Sequence, residues 1–339
     1  MKCWLSMNVK KKISIAVCGD CGKERVMEVI RMGIGSIQSS PVPLSACIGY
    51  FDGLHLGHQQ LVANAIAAAK DHHCQSALIT FDPDPWAVLK DLQDIDHLTT
   101  MAERIELGAK LGIEKWIILE FSKELAALTP EAFLNQILIP LNLHTLVCGF
   151  DYHYGCRGQG NVDTLKKQSI FDVKVVAEVD YAGEKISSTR IEKAISEGDM
   201  ALSEKLLGRP YSLHGSVVRG NHVGTNVLGF PTANLALSDH YVIPKRGVYV
   251  GACRCNGELI KAMINIGHNP TCNHRDELSV EAHLIDFNQD LYGQTITLYF
   301  YEKLRDEVKF ASADELIAQL NADRLNTKNY QRKEGMACV

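Results

Sequence analysis

One ten-residue segment, Gly49-Tyr-Phe-Asp-Gly-Leu-His-Leu-Gly-His58, constrains the fold of this chain more than any other. The mostly apolar run before it, residues 44–48, predicts a short buried strand. Residues 59–70 after it are rich in alanine and leucine and predict a helix. We therefore expect a strand, a glycine-bearing turn and a helix in direct succession.

Two glycines and two histidines determine the chemistry of this segment. Gly53 and Gly57 allow a tight turn and the close approach of a ligand to the backbone. His55 and His58, three residues apart, can present both imidazoles above the first turn of the helix. Free N–H groups and the helix dipole favour a phosphate at that position. The segment therefore predicts a site for a nucleoside triphosphate.

The composition narrows the class of protein. A length of 339 residues is enough for two domains. The net charge of −5 gives no support to binding of a nucleic-acid backbone, and no stretch has the apolar length of a membrane helix. Eleven cysteines, an odd number, fit reduced thiols in a cytoplasmic protein. Cys18 and Cys21 form a single C-x-x-C pair, which is too few ligands to predict a zinc site.

Residues 43–179 alternate between strand and helix patterns. We predict strands at 44–50, 76–81, 116–121, 145–149 and 173–179, and helices at 59–71, 101–111, 130–138 and 162–168. This alternation indicates a parallel sheet covered on both faces, with ligands beyond the carboxyl ends of the strands. Three loops, 49–58, 81–85 and 149–155, follow such ends, and we expect them to converge.

The first 26 residues do not fit this alternation. The first strand is expected to begin at Met27, so residues 1–26 are predicted to form an extension outside the core. A redox appendage using Cys18 and Cys21 is the alternative.

A second candidate phosphate contact follows the α/β region. Ser187, Ser188 and Thr189 can cap a helix, and the same hydroxyl and N–H groups can bind phosphate. Arg190 adds a delocalised positive charge. The alternative is an ordinary capped helix with an exposed arginine. Helices are predicted at 190–196 and 200–207.

After residue 210 the pattern changes to short strands separated by turns. We predict strands at 211–218, 248–254, 260–266, 280–285 and 295–301, then a helix at 313–321 and a poorly ordered tail at 332–339. Strands of this length and spacing predict a small antiparallel barrel.

Several motifs together make the chain resemble a known family. They are His-Leu-Gly-His58, Ser187-Ser-Thr-Arg190, Gly229-Phe-Pro-Thr-Ala-Asn234, Asn265-Ile-Gly267, Val280-Glu-Ala-His283 and Leu304-Arg-Asp-Glu307. This ordered set resembles the bacterial bifunctional riboflavin kinase/FMN adenylyltransferases, also called FAD synthetases. The resemblance implies a Rossmann-like nucleotidyltransferase domain at 27–186, a helical connector at 187–209, a kinase barrel with a C-terminal helix at 210–325, and a tail at 326–339.

The same resemblance implies two reactions. The barrel would transfer the γ-phosphoryl group of ATP to riboflavin, and the N-terminal domain would join the resulting FMN to the AMP part of ATP, releasing pyrophosphate. In the barrel, the resemblance implies that Glu281 is the catalytic base. It also implies that Thr232 and Asn234 are ligands of Mg²⁺. Gly220 and Gly224 would approach the ATP phosphates, and Arg305 would lie beside the flavin.

In the N-terminal domain the resemblance implies that His55 and His58 contact the phosphates of ATP. Residues 187–190 would close on the same phosphates, so that catalysis is positioning and charge stabilisation without a covalent intermediate. Asp151 is a candidate flavin contact. Asp52 can either orient the loop or contact the metal.

Three departures from the family pattern affect these expectations. Position 50 is tyrosine, where many relatives have asparagine or phenylalanine, and Asp84 occupies the place of a histidine, which removes a possible phosphate contact. Thr225 follows Gly224, where an arginine is common. The alternatives are therefore an adenylyltransferase with a weakened kinase or flavin-holding barrel, and a flavin-sensing protein without activity. In every case we expect small-molecule ligands and a monomer or weak homo-oligomer.

Overall fold

The computed structural model of the chain describes residues 10–16, 24–219, 230–268 and 278–332. The chain forms two compact units. Unit 1 comprises Met1–Ile95 and Thr99–Ile186, and unit 2 comprises Asp96–Leu98 and Ser187–Val339. Residues 187–209, predicted as a connector, belong to unit 2.

Unit 1 is built on a seven-stranded sheet. Its strands, in chain order, are β1 (Lys10–Ala16), β2 (Glu24–Met32), β3 (Leu44–Ile48), β4 (Gln75–Asp82), β5 (Lys115–Glu120), β6 (Leu143–Gly149) and β9 (Asp172–Val176). Their order across the sheet is β1-β2-β5-β4-β3-β6-β9. All neighbours are parallel except β1 and β2. The predicted parallel sheet is confirmed. Two small hairpins pair β7 (His153–Tyr154) with β8 (Gly160–Asn161) and β10 (Asp180–Tyr181) with β11 (Glu184–Lys185).

Helices cover both faces of this sheet. They are α1 (Leu56–Asp71), α2 (Pro85–Lys90), α3 (Met101–Leu111), α4 (Lys123–Ala126), α5 (Pro130–Phe133) and α6 (Val162–Leu165). Successive residues of β3 point to opposite faces: Ala46 and Ile48 join the apolar cluster that contains Phe133, whereas Cys47 joins the cluster that contains Leu61 and Trp116. Both faces are therefore buried, as a parallel sheet requires.

Two helix predictions in unit 1 were wrong in extent, and the helix expected at 162–168 is the single turn α6, which ends at Leu165. The helix expected at 130–138 is a single α-turn, α5, which continues as a π-helical turn at Leu134–Leu138 and a 3₁₀ turn at Ile139–Leu141. The short helix α2 was not predicted. Asp84 caps it by accepting hydrogen bonds from the backbone N–H groups of Trp86 and Ala87, at 2.6 and 3.3 Å.

The N-terminal residues add to the sheet instead of lying apart from it. β1 pairs with β2 in antiparallel register from Lys10 opposite Ile30 to Ala16 opposite Glu24. β2 itself begins at Glu24, before the predicted first residue, Met27. Residues 10–16 join the sheet because the free N–H and C=O groups along the edge of β2 form hydrogen bonds with a neighbouring strand. Cys18 and Cys21 lie outside the described residues.

Unit 2 contains a closed antiparallel barrel, preceded by two helices and followed by one. The helices are α7 (Ser188–Glu197), α8 (Met200–Leu207) and α9 (Ala313–Asn329), and the strands are β12 (Tyr211–Val218), β13 (Ala233–Leu237), β14 (Gly247–Cys255), β15 (Glu258–His268), β16 (Leu278–Leu284) and β17 (Thr295–Arg305). The barrel closes in the order β12-β13-β16-β15-β14-β17, so the predicted barrel is confirmed. Strand β13 was not predicted.

The C-terminal helix is longer than predicted. α9 continues to Asn329, where the Lys261 Nζ donates hydrogen bonds to the carbonyl oxygens of Lys328 and Tyr330, at 2.7 and 2.8 Å. Residues 326–329, predicted as tail, are therefore helical. Arg332 pairs with Glu204 of α8. Within the ranges described above, no helix is long and apolar enough to cross a membrane.

Candidate active sites

In unit 1 the loop between β3 and α1 has the backbone expected of a tight turn. Phe51 and Gly53 both adopt left-handed conformations, with φ of 60° and 72°. A 3₁₀ turn at Asp52–Leu54 leads to His55, the N-cap of α1. At this helix end the backbone N–H groups of Leu56 and Gly57 have no acceptor within the helix, so they are available to an anion.

Asp52 holds this loop in place. Its Oδ1 accepts hydrogen bonds from the Gly53 N–H at 2.9 Å, from the Thr99 N–H and Oγ1 at 3.1 Å each, and from the Arg104 Nη2 at 2.8 Å. Asp52, Thr99 and Arg104 are all buried. Four donors on a single carboxylate oxygen favour the structural alternative for Asp52, the orientation of the loop.

Arg104 supports this candidate site through Asp52, and the sequence did not single it out. Its guanidinium is 2% exposed and also donates to the carbonyl oxygens of Thr99, at 3.0 and 3.2 Å, and of Tyr50, at 3.4 Å. The guanidinium lies 4.5 Å from the centre of the Tyr50 ring. Burial raises the pKa of the Tyr50 hydroxyl; Arg104 opposes this shift and the hydrogen-bonded Asp84 adds to it. Tyr50 and Asp84, two of the departures noted above, are therefore hydrogen-bonded to each other.

The two histidines form one stacked unit. Their ring centres are 3.6 Å apart with an angle of 17° between the planes, and Phe51 meets the His58 ring edge-on at 5.1 Å. The His58 backbone N–H donates to Nδ1 of His55 at 3.3 Å, so that nitrogen carries no proton. Nδ1 of His58 is buried without a hydrogen-bond partner among the described residues. The neutral tautomer with an unprotonated Nδ1 has the lower free energy there, because a buried N–H group without an acceptor is unfavourable.

The surroundings of His58 keep its ring neutral. Burial of the ring is the largest cause that holds the pKa of His58 well below its usual range, followed by the electrostatic effect of His55 and the positive charges of Arg104 and Lys185. The Asp52 carboxylate pairs with Arg104, and the Asp151 carboxylate pairs with Lys185. A neutral ring with a bare Nδ1 presents Nε2–H, so His58 is a hydrogen-bond donor and not a cation.

Gly57 is required for the close packing of this histidine pair. A Cβ at position 57 would lie 3.1 Å from Cε1 and 3.2 Å from Nδ1 of His55. The His55 ring would have to move by a few tenths of an ångström to make room. Gly53 is required for a different reason, since its positive φ is costly for any residue with a side chain.

The three predicted loops follow three adjacent strands. β3 lies between β4 and β6 in the sheet, so the loops after Ile48, Asp82 and Gly149 leave neighbouring strand ends. Asp151, the candidate flavin contact, is about half exposed and forms an ion pair with Lys185, whose ammonium lies 4.9 Å from the centre of the Phe150 ring.

The segment 187–190 begins helix α7. The Ser187 Oγ accepts a hydrogen bond from the Arg190 backbone N–H at 3.3 Å, which makes Ser187 the N-cap. Ser188 opens the helix and Thr189 is exposed in its first turn. A capped first turn of this kind offers backbone N–H groups and hydroxyls to an anion.

In unit 2 the candidate kinase residues lie in one row across five strands. Asn234 of β13 is directly opposite Glu281 of β16, and Glu281 is opposite Asn265 of β15. The row continues from Asn265 to Val248 of β14 and on to Arg305 of β17. Directly opposed residues of antiparallel strands share one face of the sheet. Asn234 and Glu281 are thereby neighbours, and Arg305 lies in the same row three strands farther on, although the sequence showed no register.

Glu281 has the properties of a base. Burial raises the pKa of its carboxyl group, and a hydrogen bond from the Thr232 Oγ1 to Oε2, at 3.3 Å, opposes this shift. The segment before Thr232 is held by His283, whose Nδ1 lies 2.9 Å from the Pro231 carbonyl oxygen and whose ring meets Phe230 at 5.3 Å. The position of Thr232 beside the carboxylate is therefore well defined.

A cavity of about 180 Å³ opens at the other end of the row. Its lining residues are Val248, Met263, Asn265, Arg305, Glu307, Val308, Phe310, Leu316 and Leu320. Arg305 donates through Nε to Asp323 of α9 at 2.9 Å, and Asp323 is only 2% exposed. Arg305 therefore fixes α9 against the barrel while it forms part of the cavity wall.

Two predicted residues, Gly220 and Gly224, lie outside the described residues. For metals, the structure contains no group of three His, Cys, Asp or Glu side chains that could hold an ion in its described ranges. The oxygen ligands predicted for Mg²⁺, Thr232 and Asn234, are not of those types.

Comparisons with known proteins agree with this division. The family model described as FAD synthetase matches residues 37–190, and the model described as riboflavin kinase matches residues 207–331. The bifunctional riboflavin kinase/FMN adenylyltransferase of Listeria monocytogenes is 38% identical over 289 residues, which is 84% of this chain and 92% of that protein. The protein of the same name from Bacillus subtilis is 36% identical over 84% of this chain and 91% of its own length.

A solved structure matches nearly the whole chain. A crystal structure described as a macrolide-efflux protein from Streptococcus pneumoniae has a TM-score of 0.83 and 36% identity, over 89% of this chain and 99% of that one. The description as an efflux protein applies to the Streptococcus pneumoniae protein and is not carried over to this chain. Both family models and the curated relatives confirm the family that the motifs predicted, with its paired activities. The chain belongs to the family of bifunctional riboflavin kinase/FMN adenylyltransferases.

Proposed function

We propose that the chain makes FAD from riboflavin in two ATP-dependent steps, with the kinase in the barrel at 210–325 and the adenylyltransferase in the α/β domain at 27–186. The observation that carries the proposal is the row from Asn234 through Glu281 to Arg305, which joins a buried carboxylate to a cavity of about 180 Å³. Neighbouring strands are about 5 Å apart, so Val248 in the cavity wall lies about 10 Å from Glu281. The ribityl chain of riboflavin spans such a gap.

In the kinase step, Glu281 accepts the proton of the 5′-hydroxyl as that oxygen attacks the γ-phosphorus of ATP, the bond from this phosphorus to the bridging oxygen breaks, and ADP leaves. Its raised pKa increases its affinity for this proton. The flavin ring occupies the cavity, where Arg305 secures the wall made by α9.

Oxygen donors beside Glu281 fit a magnesium ion. The Thr232 hydroxyl and the Asn234 side-chain carbonyl are hard ligands, and both positions adjoin the Glu281 carboxylate. Bound there, Mg²⁺ would neutralise the charge of the ATP phosphates. Gly220 and Gly224 stay predicted phosphate contacts.

In the adenylyltransferase step, the phosphate of FMN attacks the α-phosphorus of ATP, the bond from this phosphorus to the α,β-bridging oxygen breaks, and pyrophosphate leaves. The neutral rings of His55 and His58 donate through Nε2–H to the phosphates, together with the backbone N–H groups at the start of α1. Trp86 and Leu89 of α2, which follows the neighbouring strand β4, are 60% and 52% exposed and offer an apolar surface for a flavin ring. The contacts assigned to Asp151 and to residues 187–190 stay predictions.

We also propose that the enzyme acts in the cytoplasm on small molecules, without nucleic acid, as a monomer or weak homo-oligomer.

Chromatography of the reaction products tests the proposal. Purified protein with ATP, Mg²⁺ and riboflavin is expected to form FMN first and FAD afterwards. FAD formed from supplied FMN, with no product from riboflavin, would select the alternative with a weakened kinase. Absence of product from both flavins would contradict the enzyme assignment.

A further inference from the structure

Helix α2 has a polar contact at each of its two ends. All six of its residues are described and none of them is buried, so no buried apolar side chain of its own anchors it. At its C-terminal end, Asp91 pairs with Lys123 of α4 at 2.7 Å, and both side chains are largely exposed. At its N-terminal end lies Asp84, which is only 8% exposed. Because exposed ion pairs contribute little, the contact at Asp84 is the one expected to hold the helix.

Asp84 binds two groups at once. Its Oδ1 accepts hydrogen bonds from the backbone N–H groups of Trp86 and Ala87, at 2.6 and 3.3 Å, which caps α2. Its carboxylate is also hydrogen-bonded to the side chain of Tyr50. A carboxylate has enough lone pairs for both roles, and the Tyr50 hydroxyl is the donor of the second bond. The residue that begins α2 is thereby joined to the loop between β3 and α1.

Tyr50 is itself held in place. Its carbonyl oxygen accepts hydrogen bonds from the Thr80 Oγ1 at 2.9 Å and from the Arg104 Nη1 at 3.4 Å. The Arg104 guanidinium also lies 4.5 Å from the centre of the Tyr50 ring and pairs with Asp52. The buried polar network that fixes the β3–α1 loop therefore extends through the Tyr50 hydroxyl to α2.

We propose that the hydrogen bond between Tyr50 and Asp84, the Tyr50–Asp84 link, fixes α2 against the β3–α1 loop, and that both residues are positioning residues for adenylyl transfer to FMN. This inference rests on the proposed function, in which Trp86 and Leu89 of α2 offer a surface to the flavin ring. Tyrosine at position 50 and aspartate at position 84 are two of the departures from the family pattern. One supplies the donor of the link and the other supplies the acceptor, so the two departures complement each other.

Loss of the link should affect FMN and not ATP. A hydrogen bond to a charged group shifts an equilibrium by at least about tenfold. A shift of α2 from a ratio of docked to released of about 3:1 to about 1:3 lowers the fraction of protein that is ready for the flavin about threefold. KM for FMN then rises about threefold. The kcat at saturating FMN and the KM for ATP stay unchanged, because His55 and His58 keep their positions.

A double-mutant cycle tests the link. Tyr50→Phe removes the hydroxyl and keeps the ring beside Arg104. Asp84→Ser removes the carboxylate and keeps an oxygen that can cap the helix. Each single variant is expected to raise the KM for FMN about threefold, and the double variant to raise it no further, because both changes break the same bond.

Hydrogen exchange measures the link without any flavin. The backbone amides of α2 should exchange about threefold faster in Tyr50→Phe than in the wild type, since the released fraction rises from about a quarter to about three quarters. Lys123→Met is the matched control, because it removes the exposed contact at the other end of α2. It should change neither the exchange of these amides nor the KM for FMN.

The outcomes separate the link from the proposed function. Exchange at the wild-type rate in Tyr50→Phe would overturn the link. Faster exchange with an unchanged KM for FMN would overturn the positioning role, and so would a double variant in which the two single rises in KM multiply. If the wild-type protein forms no FAD from supplied FMN, the proposed function itself is contradicted and the positioning role with it, whereas the exchange rates still show whether the link holds α2.

Discussion

Replacement of Arg104 by methionine should destabilise unit 1 and abolish its activity. The substitution removes the 2.8 Å ion pair with Asp52 and three hydrogen bonds to the carbonyl oxygens of Thr99 and Tyr50. Asp52 stays buried and keeps its hydrogen bonds from Gly53 and Thr99, but its negative charge loses the guanidinium. Breaking a buried pair in this way costs about 3–5 kcal/mol.

Tryptophan fluorescence reports this loss for unit 1 alone. The three tryptophans of the chain, Trp4, Trp86 and Trp116, all belong to unit 1, and Trp116 is fully buried. In urea unfolding, Arg104→Met is therefore expected to reach the midpoint of the fluorescence change at a lower urea concentration than the wild type, because its free energy of unfolding is lower. The control is Lys123→Met, which removes a 2.7 Å ion pair with Asp91 whose side chains are 70% and 76% exposed. That pair should contribute less than about 1 kcal/mol.

The same variant separates the two activities. Arg104 holds the loop through Asp52, so FAD formation from FMN should be lost, whereas phosphorylation of riboflavin in unit 2 should continue. Arg104→Met protein that unfolds within about 1 kcal/mol of wild type would refute the role of the buried pair.

Three further predictions concern unit 1. The pKa of His58 is lowered in the folded protein, whereas the unfolded ring binds a proton below about pH 6.5, so unit 1 should lose stability as the pH falls below that value. In urea titrations at pH 5 and pH 7, His58→Gln should reduce this loss of stability. Gly57→Ala displaces the His55 ring and should lower kcat of FAD formation about tenfold, with the urea midpoint nearly unchanged. Gly108→Ala would place Cβ 2.2 Å from Trp116 and should cost about 1–3 kcal/mol in the same assay.

The fold was predictable where periodic patterns were long. Helix α3 begins and ends at the predicted residues, as does strand β12, because each has an uninterrupted pattern and clear end signals. Strand β13 was not among the predicted strands, since Pro-Thr-Ala-Asn234 predicts a turn that enters a strand, and the strand itself depends on pairing with β12 and β16. α2 has only six residues and no buried ones, so it has no apolar face to detect.

The sites were predictable as residue types and not as arrangements. His55, His58 and Glu281 stood in recognisable motifs. Arg104 resembles an ordinary exposed helix charge, and only the tertiary structure shows that it is buried beside Asp52. The row that joins Asn265 to Glu281 depends on the register of barrel strands far apart in the chain, which no local pattern encodes.

The two-site assignment is tested most directly by a pair of variants assayed for both products. Glu281→Gln is expected to lower FMN formation from riboflavin by about 10²–10⁴-fold, as loss of a general base does, while it converts supplied FMN to FAD at the wild-type rate. His58→Ala is expected to do the reverse. Loss of both activities in either folded variant would contradict the assignment of the two reactions to separate sites.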